Sequence, residues 1–472
     1  MNYKVGMFFL GTLVLGFNSQ ANVRKLSKEF LLSNIEVQNA KLRIDKSLYD
    51  YKIEDEKREW ALSLSSEYAN STLRTSPSSY YSLDNKTLTH TLSLLKETKW
   101  GGRFTLSSGI VDGDYGSSGS SNSYDQNISY EQDLGQNFLG RNSYLNIEAN
   151  LQRFKATEAG EFSAVEQELL SFLTSYLRTS YLKDVMELKN ASLDRATKRT
   201  EYISKKVRDG LKERADLYSA KTQEAFAREE LLRTTNEFEQ SLSELSKKLQ
   251  REINSNEITK ISDELPQKSS LLRPSPKGSV KENRVLLSSK MSVETFKNIL
   301  KQKENMILPK ISLKTAYRTN NFDESSKDAF KDGTIGSDNK EYKVGLEVTM
   351  PLSFDIERFQ KEKAKADLLI ATNNLEKKKV EVASDLKLIN RQIELATKNI
   401  QSSEVRVDLA RKTFLEYNKL YNRGKGSLDQ VLNAENRFLE TQESFLNYQV
   451  QRESYLYSLE YLYSSLIEKF NH

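Results

Sequence analysis

The amino-acid sequence predicts an α+β fold in which long α-helical hairpins are joined to small groups of β-strands. Three observations support this prediction: an apolar heptad stripe over residues 382–421, alternating side chains in the regions of about 60–135 and 310–353, and an order of elements that occurs twice. Helices that carry such stripes bury them against one another, and strands that alternate form a separate layer.

The apolar stripe occupies one face of a long helix. Apolar or aromatic residues recur at alternating steps of four and three, and only Ser403 departs from this pattern. The stripe consists of Val382, Leu386, Ile389, Ile393, Ala396, Ile400, Ser403, Val407, Ala410, Phe414, Tyr417 and Tyr421. A helix of roughly 60 Å with one such stripe needs partners of similar length. Gly424 and Gly426 follow, and a second helical run begins at once. This arrangement predicts a helical hairpin with a sharp tip.

The alternating segments predict β-strands with two different faces. In the first segment Leu62, Leu64 and Tyr68 alternate with small or polar residues. We expect four strands in the first region and two in the second. An isolated hairpin is marginally stable in water and open sheet edges are a liability, so several chains are expected to share one barrel with a wet lumen. A soluble β-sandwich attached to coiled coils is the alternative that periodicity leaves open.

The order helix, strands, long helix, tip, helix occurs twice, which indicates an internal duplication. Asn34 corresponds to Asn283, and Trp60 to Pro309, both at an offset of 249 residues. The offset falls to 218 at the end of the strands and to 214 at the tips, where Gly210 corresponds to Gly424. The first half therefore carries 31 extra residues in its strand region, enough for one added hairpin.

Composition argues against catalysis, metal binding and nucleic-acid binding. Hydrophobic residues make up 37% and charged residues 29% of the chain, which suits extended helices with solvated faces. The 71 basic and 66 acidic residues nearly balance, and no long basic run stands out. The chain has no cysteine, and its two histidines, His90 and His472, are far apart. We therefore expect no enzyme activity, no cofactor and no metal site.

The first 21 residues are typical of a secretory signal peptide. Lys4 precedes an apolar core over residues 5–17, and small residues flank the expected cleavage point after Ala21. A retained N-terminal anchor is the alternative. The predicted organisation is then a first repeat over 22–251, a linker rich in Pro and Gly over 252–281, and a second repeat over 282–472.

The two tips carry the most specific local pattern. In each, a glycine precedes an alanine by ten residues, with branched apolar residues between them. The residues are Gly424, Ser427, Val431, Leu432 and Ala434 in the second half, and Gly210, Asp216, Leu217 and Ala220 in the first. With the signal peptide, the duplicated halves and the paired strands, this pattern resembles the outer-membrane efflux protein (TolC) family over essentially the whole mature chain.

The resemblance implies a homotrimer in the cell outer membrane. Its strands would form one shared transmembrane β-barrel in outer-membrane lipid, and its duplicated helical hairpins would form a periplasmic α-barrel that tapers to a gate at the tips. Family trimers usually take four strands from each chain. The six strands expected here leave open whether the extra hairpin joins the barrel or projects beyond it.

The resemblance also assigns a gate. Asp216 and Tyr421 match the residues that hold the family's closed state together, and a purely structural role as helix-end residues is the alternative for Asp216. The best-known member has an arginine two residues after the second glycine, where this chain has Gly426. Arg423, on the other side of Gly424, is the expected substitute.

The same member has acidic rings at positions that are Gln430 and Asn433 here. Rings of charge set cation selectivity, so an amide ring is expected to bind polyvalent cations more weakly. The resemblance places the contact with a periplasmic adaptor at Gly210, Leu211, Gly424 and Lys425. The two glycines alternatively serve only to end a helix in the left-handed conformation.

The expected function is that of an outer-membrane exit duct in a tripartite efflux or type I secretion system. Such a duct is passive and is coupled through the periplasmic adaptor to an inner-membrane transporter. The alternative is a structural or adhesive surface coiled-coil protein, which explains the heptads but not the duplication.

Overall fold

A computed structural model describes residues 20–71, 85–114, 120–264, 283–334 and 336–471. All but the last two residues of the predicted signal peptide, and most of the predicted linker, lie outside the described residues. The chain forms two compact units, and each takes segments from both sequence repeats. One unit contains the described parts of Met1–Leu42, Gly160–Leu286 and Lys379–His472, and the other contains those of Arg43–Ala159 and Leu287–Lys378.

The described residues contain ten α-helices. They are α1 Gln20–Ser33, α2 Ile35–Glu56, α3 Arg141–Arg208, α4 Arg214–Leu249, α5 Ile261–Glu264, α6 Arg284–Asn305, α7 Ser326–Asp332, α8 Asp355–Asn422, α9 Leu428–Leu462 and α10 Leu466–Asn471. Two short 3₁₀-helices lie at Phe138–Gly140 and Ser255–Glu257. None of the helices in the described part of the chain has the length and hydropathy needed to cross a membrane.

Two asparagines, one in each repeat, cap equivalent helices. They are 249 residues apart, which is the offset found at the start of the two repeats. The sequence predicts an unbroken helix before Trp60, but the structure breaks it at Asn34, whose side-chain oxygen accepts from the N–H of Glu36 at 2.9 Å. Asn283 caps α6 in the same way, accepting from the N–H of Val285 at 3.0 Å. An asparagine that satisfies free N–H groups at a helix start stabilises that start.

The amides of the same two asparagines bind equivalent helix ends. The Asn34 amide donates to the Lys248 carbonyl oxygen at 3.0 Å, and the Asn283 amide donates to the Leu462 carbonyl oxygen at 2.8 Å. Lys248 and Leu462 are 214 residues apart, which is also the offset between the two tips. The duplication therefore extends to individual hydrogen bonds.

The helical unit has an apolar core built from several helices. Phe30 of α1 stacks on Phe172 of α3 with ring centroids 4.7 Å apart, and both side chains are fully buried. Tyr176 and Leu245 join them. On α8, all twelve positions of the predicted stripe are buried or half-buried. The predicted stripe is thus the packed face of its helix.

The other unit contains one six-stranded antiparallel sheet with the strands in sequence order. The strands are β1 Trp60–Ser71, β2 Asn85–Glu97, β3 Gly102–Asp114, β4 Ser120–Asp133, β5 Lys310–Asp323 and β6 Lys340–Thr349. The first half contributes four strands and the second half two, as predicted. Pairing of β4 with β5 joins the two halves into one sheet.

A short helix lies between β5 and β6, where Gly, Asp and Ser residues predict a loop. Phe330 of α7 packs edge-on against Tyr124 with ring centroids 4.9 Å apart. Ser326 at the start of α7 donates to the Asp112 carboxylate at 2.9 Å, and Thr319 donates to the Gly333 carbonyl oxygen at 2.8 Å. The expectation of a loop was wrong because contacts with the sheet, rather than helix propensity, stabilise this turn of helix.

Candidate functional site

The two hairpin tips have the same backbone geometry. Gly210 has φ of 72° and Gly424 has φ of 74°, and both lie in the left-handed region that favours glycine. After each glycine, a backbone N–H donates to the carbonyl oxygen five residues earlier, at 2.8 Å from Leu211 and at 2.9 Å from Lys425. These bonds satisfy carbonyl groups that a helix end would otherwise leave free. The glycines therefore favour each chain reversal.

The helices that follow the tips begin differently. Ser427 precedes α9, and its hydroxyl oxygen accepts from the Gln430 N–H at 3.3 Å. The Gln430 side chain accepts in return from the Ser427 N–H at 3.2 Å, which completes a capping box. Glu213 precedes α4 with nearly the same backbone angles, but its side chain makes no capping bond. Gln430 thus stabilises the start of α9 in addition to any role in a pore.

An apolar cluster lies beneath the tips and includes Tyr421. Its buried members are Ile203, Ala220, Phe414, Tyr421, Leu428, Val431 and Ala434. They come from α3, α4, α8 and α9, so the cluster binds both hairpins together. Tyr421 is only 4% exposed, and its hydroxyl group makes no hydrogen bond to any described residue. The phenol is therefore held by packing rather than by a polar partner.

Lys212 links Tyr421 to Asp216. Its ammonium nitrogen lies 4.6 Å from the centroid of the Tyr421 ring and 3.9 Å from a carboxylate oxygen of Asp216. A cation over an aromatic face is attracted by the negative charge of the ring face. Burial raises the pKa of Tyr421, and the nearby Asp216 carboxylate raises it further. The two predicted gate residues thus share one cation.

The predicted gate residues differ in how far they are exposed. Asp216 is half-buried, whereas Arg423, Gln430 and Asn433 are exposed. The cation over Tyr421 is Lys212, which the sequence analysis did not select, rather than the expected Arg423. The tip offset of 214 residues makes Lys212 the first-repeat counterpart of Gly426. Comparing the two tips position by position would have found it.

A buried ion pair lies along α9, next to the predicted ring positions. Glu435 has a side chain that is 5% exposed and accepts from Arg195 at 2.6 Å. Arg199 binds the other carboxylate oxygen. Both arginines belong to α3 of the first hairpin, so Glu435 joins the two repeats through charge. Glu435 lies next to the predicted ring positions in the sequence, but the structure places it in the core.

A second set of charges joins the hairpins farther along α3. The Lys189 ammonium group lies 2.5 Å from Glu443 of α9 and 3.4 Å from Glu230 of α4. Within the described ranges, no group of three or more His, Asp or Glu side chains is placed to hold a metal ion. Ion pairs thus join α3 to both α4 and α9 in the described helical unit.

Residues 278–463 match the family model described as Outer membrane efflux protein. No curated protein matches the chain. Solved structures match nearly all of it, among them the outer membrane protein VceC from Vibrio cholerae, with a TM-score of 0.68 and 16% identity over 96% of both chains.

Two outer membrane channels show the same likeness. The open state of MtrE from Neisseria gonorrhoeae has a TM-score of 0.67 and 16% identity over 94% of this chain and 89% of MtrE. CmeC from Campylobacter jejuni has a TM-score of 0.65 and 13% identity over 96% of this chain and 89% of CmeC. At these identities the likeness establishes the fold.

Proposed function

We propose that the chain forms a passive outer-membrane efflux channel, as the match of residues 278–463 to the Outer membrane efflux protein family model suggests. Three copies enclose the conduit, and the sheets line its passage through the outer membrane. The helical hairpins extend into the periplasm, where an adaptor protein connects their tips to an inner-membrane transporter.

One observation carries the proposal: adjacent rows of the sheet have opposite chemistry. Following the strand pairing from β1 to β6, one row is apolar or aromatic throughout, with Leu62, Leu94, Leu106, Ile128, Tyr317 and Tyr342. The next row is polar throughout, with Ser63, Ser93, Ser107, Asn127, Arg318 and Glu341. Successive residues of a strand point to opposite faces, so at the level of these two rows the sheet is apolar on one face and polar on the other.

The apolar row is exposed on the two edge strands of the single chain and half-buried on the strands between them. Leu62 is 69% and Tyr342 is 71% exposed, although both belong to the apolar row. Water would make such a surface costly, whereas lipid would cover it and leave the polar face to line a wet lumen. A soluble sandwich would instead bury this face against a second sheet. This contrast supports a membrane barrel rather than a surface coiled coil.

The tips supply the proposed gate and the proposed adaptor contact. Tyr421, Lys212 and Asp216 hold the two hairpins of one chain together and would resist their separation, while Gln430 and Asn433 face solvent. Leu211, 63% exposed, and Lys425 project from neighbouring tips. An adaptor helix that packed against the tip would bury the Leu211 side chain, which favours binding.

Conductance of the purified protein in planar lipid bilayers tests the proposal. We expect stable ion-conducting pores formed by trimers. Purified protein that forms no trimers, or trimers that never conduct, would overturn it. Protease added to intact cells gives a second measurement: a duct exposes only connecting segments such as the one between β3 and β4, whereas digestion along most of the chain would indicate a surface coiled coil.

A further inference from the structure

The sheet ends in two strands that have a neighbour on one side only. Among the described strands, β1 pairs with β2 alone and β6 pairs with β5 alone. All ten residues of β6 and the first nine of β1 are exposed. Because six strands alternate in direction, β1 and β6 run antiparallel to each other. The two edge strands therefore run in the opposite directions that antiparallel pairing between copies needs.

We infer that β1 of one copy pairs with β6 of a second copy, with Leu64 opposite Leu346, so that three copies close a barrel of eighteen strands. The inference rests on the proposed channel function, and it specifies the edge, the register and the number of strands. It also assigns both strands of the added hairpin to the barrel wall.

Matching of side chains supports this register on the apolar face. With Leu64 opposite Leu346, Tyr68 lies opposite Tyr342 and Trp60 lies opposite Met350. Side chains directly opposite in an antiparallel pair stabilise a sheet through aromatic and aliphatic contacts. A slip by one residue would place the apolar side chains of β1 against the polar face of β6.

Charge supports the same register on the polar face. Glu67 then lies opposite Lys343, which gives a cross-strand pair of opposite charges. A slip by two residues in one direction places Glu67 opposite Glu341, and like charges directly opposite are destabilising. A slip in the other direction leaves Lys343 opposite Ala69. Both alternatives lose the charge pair.

The geometry of the sheet agrees with this register. Following the paired residues across the sheet from Leu64 of β1 leads to Lys340 of β6. Lys340 is six residues from Leu346, the proposed partner of Leu64 in the next copy. Six residues span about 20 Å along a strand, and six strand spacings span about 29 Å across the sheet. The strands would therefore tilt by about 35°, at the lower end of the range usual for barrels.

The eighteen strands determine the width of the barrel. At a spacing of about 4.8 Å and a tilt of about 35°, the backbone of the barrel is about 34 Å across, whereas twelve strands with the same tilt give about 22 Å. The outer opening of this channel is thus wider than four strands per chain would allow.

Cysteine pairs test the register, because the chain has no cysteine of its own. Ser65 and Gly345 lie opposite each other in the proposed pairing, and a side chain added at Gly345 meets no atom within 4 Å. Opposite residues in an antiparallel pair have Cα atoms about 4.5–5.5 Å apart, within the range for a disulfide. We expect the variant Ser65→Cys/Gly345→Cys to form covalent trimers on oxidation.

The matched controls shift the second cysteine by two residues, as Ser65→Cys/Lys343→Cys and Ser65→Cys/Glu347→Cys. Their yield of covalent trimer on a non-reducing gel should be at least about five-fold lower, since diagonal partners lie about 7–8 Å apart. Conducting trimers that link best through a shifted pair, or through none, would overturn the inference and leave the channel function intact. Failure to form trimers or pores would overturn both.

Charge reversal gives an independent measurement in a chain without cysteines. Glu67→Lys should lower the fraction of trimer several-fold, and adding Lys343→Glu should restore it. Equal trimer fractions in the single and double variants would contradict the proposed pairing.

Discussion

The ammonium group of Lys212 lies 4.6 Å from the centroid of the Tyr421 ring. Lys212 is in the tip between α3 and α4, and Tyr421 is in the last turn of α8, so this contact joins the two repeats at their tips. The same cation is 3.9 Å from Asp216. In the proposed channel, one lysine thus takes the place that the family resemblance gives to an arginine of the other tip.

Lys212→Gln should open the channel. A cation–π contact at a partly exposed site contributes about 0.5–1 kcal/mol, so its loss should raise the open fraction of single channels about two- to five-fold. Recordings in planar bilayers without adaptor measure this fraction. Arg423→Gln is the matched control, since Arg423 is exposed at the other tip. A larger effect from the Arg423 variant would contradict the assignment.

Tyr421 should make the stability of the helical unit sensitive to alkaline pH. Its pKa is raised above the ordinary value of 10.0 because the phenol is buried near Asp216. The folded state then holds this proton more tightly than the unfolded state does. The resulting stability is fully present below pH 10 and is lost as the pH rises through the raised pKa.

Thermal melting followed by circular dichroism at pH 9 and pH 11 measures this effect. Between pH 9 and pH 11, the melting temperature of the wild type should fall by more than that of Tyr421→Phe, because the variant has no phenol to ionise at this position. Tyr218→Phe is the control, since Tyr218 is 63% exposed. An equal loss in the wild type and Tyr421→Phe would show that the phenol is not held in its neutral form.

The double variant Gln430→Glu/Asn433→Asp should make the channel sensitive to polyvalent cations. Three copies would add six carboxylates at exposed positions, and rings of charge concentrate cations in a pore. Glutamate also serves in a capping box, so the start of α9 is preserved. We expect the half-blocking concentration of a trivalent cation to fall at least about ten-fold, as measured by bilayer conductance.

Gln401→Glu adds a charge at an exposed position of α8 away from the tips and is the matched control. If the trivalent cation blocks conductance equally well in both variants, Gln430 and Asn433 lie away from the constriction of the pore.

Glu435→Gln should destabilise the helical unit by about 3 kcal/mol, because it leaves the Arg195 and Arg199 guanidinium groups without their buried anion. Chemical denaturation followed by circular dichroism measures this change. Glu440→Gln, at an exposed position of the same helix, should change the stability by less than about 0.5 kcal/mol. Similar effects of the two substitutions would mean that the buried pair adds no stability.

Local pattern alone was enough to predict most of the secondary structure. The heptad spacing from Val382 to Tyr421 predicts the packed face of α8, because a helix presents every third or fourth residue to the same neighbour. Alternation predicts six strands, because a strand turns successive side chains to opposite faces. The glycines at 210 and 424 predict the tips, since their left-handed backbone is unfavourable for other residues.

Contacts between segments that are distant in sequence could not be predicted from the sequence. Asn34 sits in a polar helical stretch with no Gly or Pro, and its break depends partly on a carbonyl group of Lys248. The helix α7 depends on the packing of Phe330 against Tyr124. Lys212 and Glu435 lie among other charged residues in the sequence, so their neighbours in sequence do not indicate which residues they contact.

The sequence by itself determined the element types, the duplication, the tips and the resemblance to outer-membrane channels, because each depends on periodicity or on one residue's backbone preference. Only the tertiary structure decided that all six strands form one sheet, that Lys212 is the cation over Tyr421, and that Glu435 is buried between two arginines. These features depend on which segments meet in space. The role of a charged residue or of an edge strand depends on the partner that it contacts.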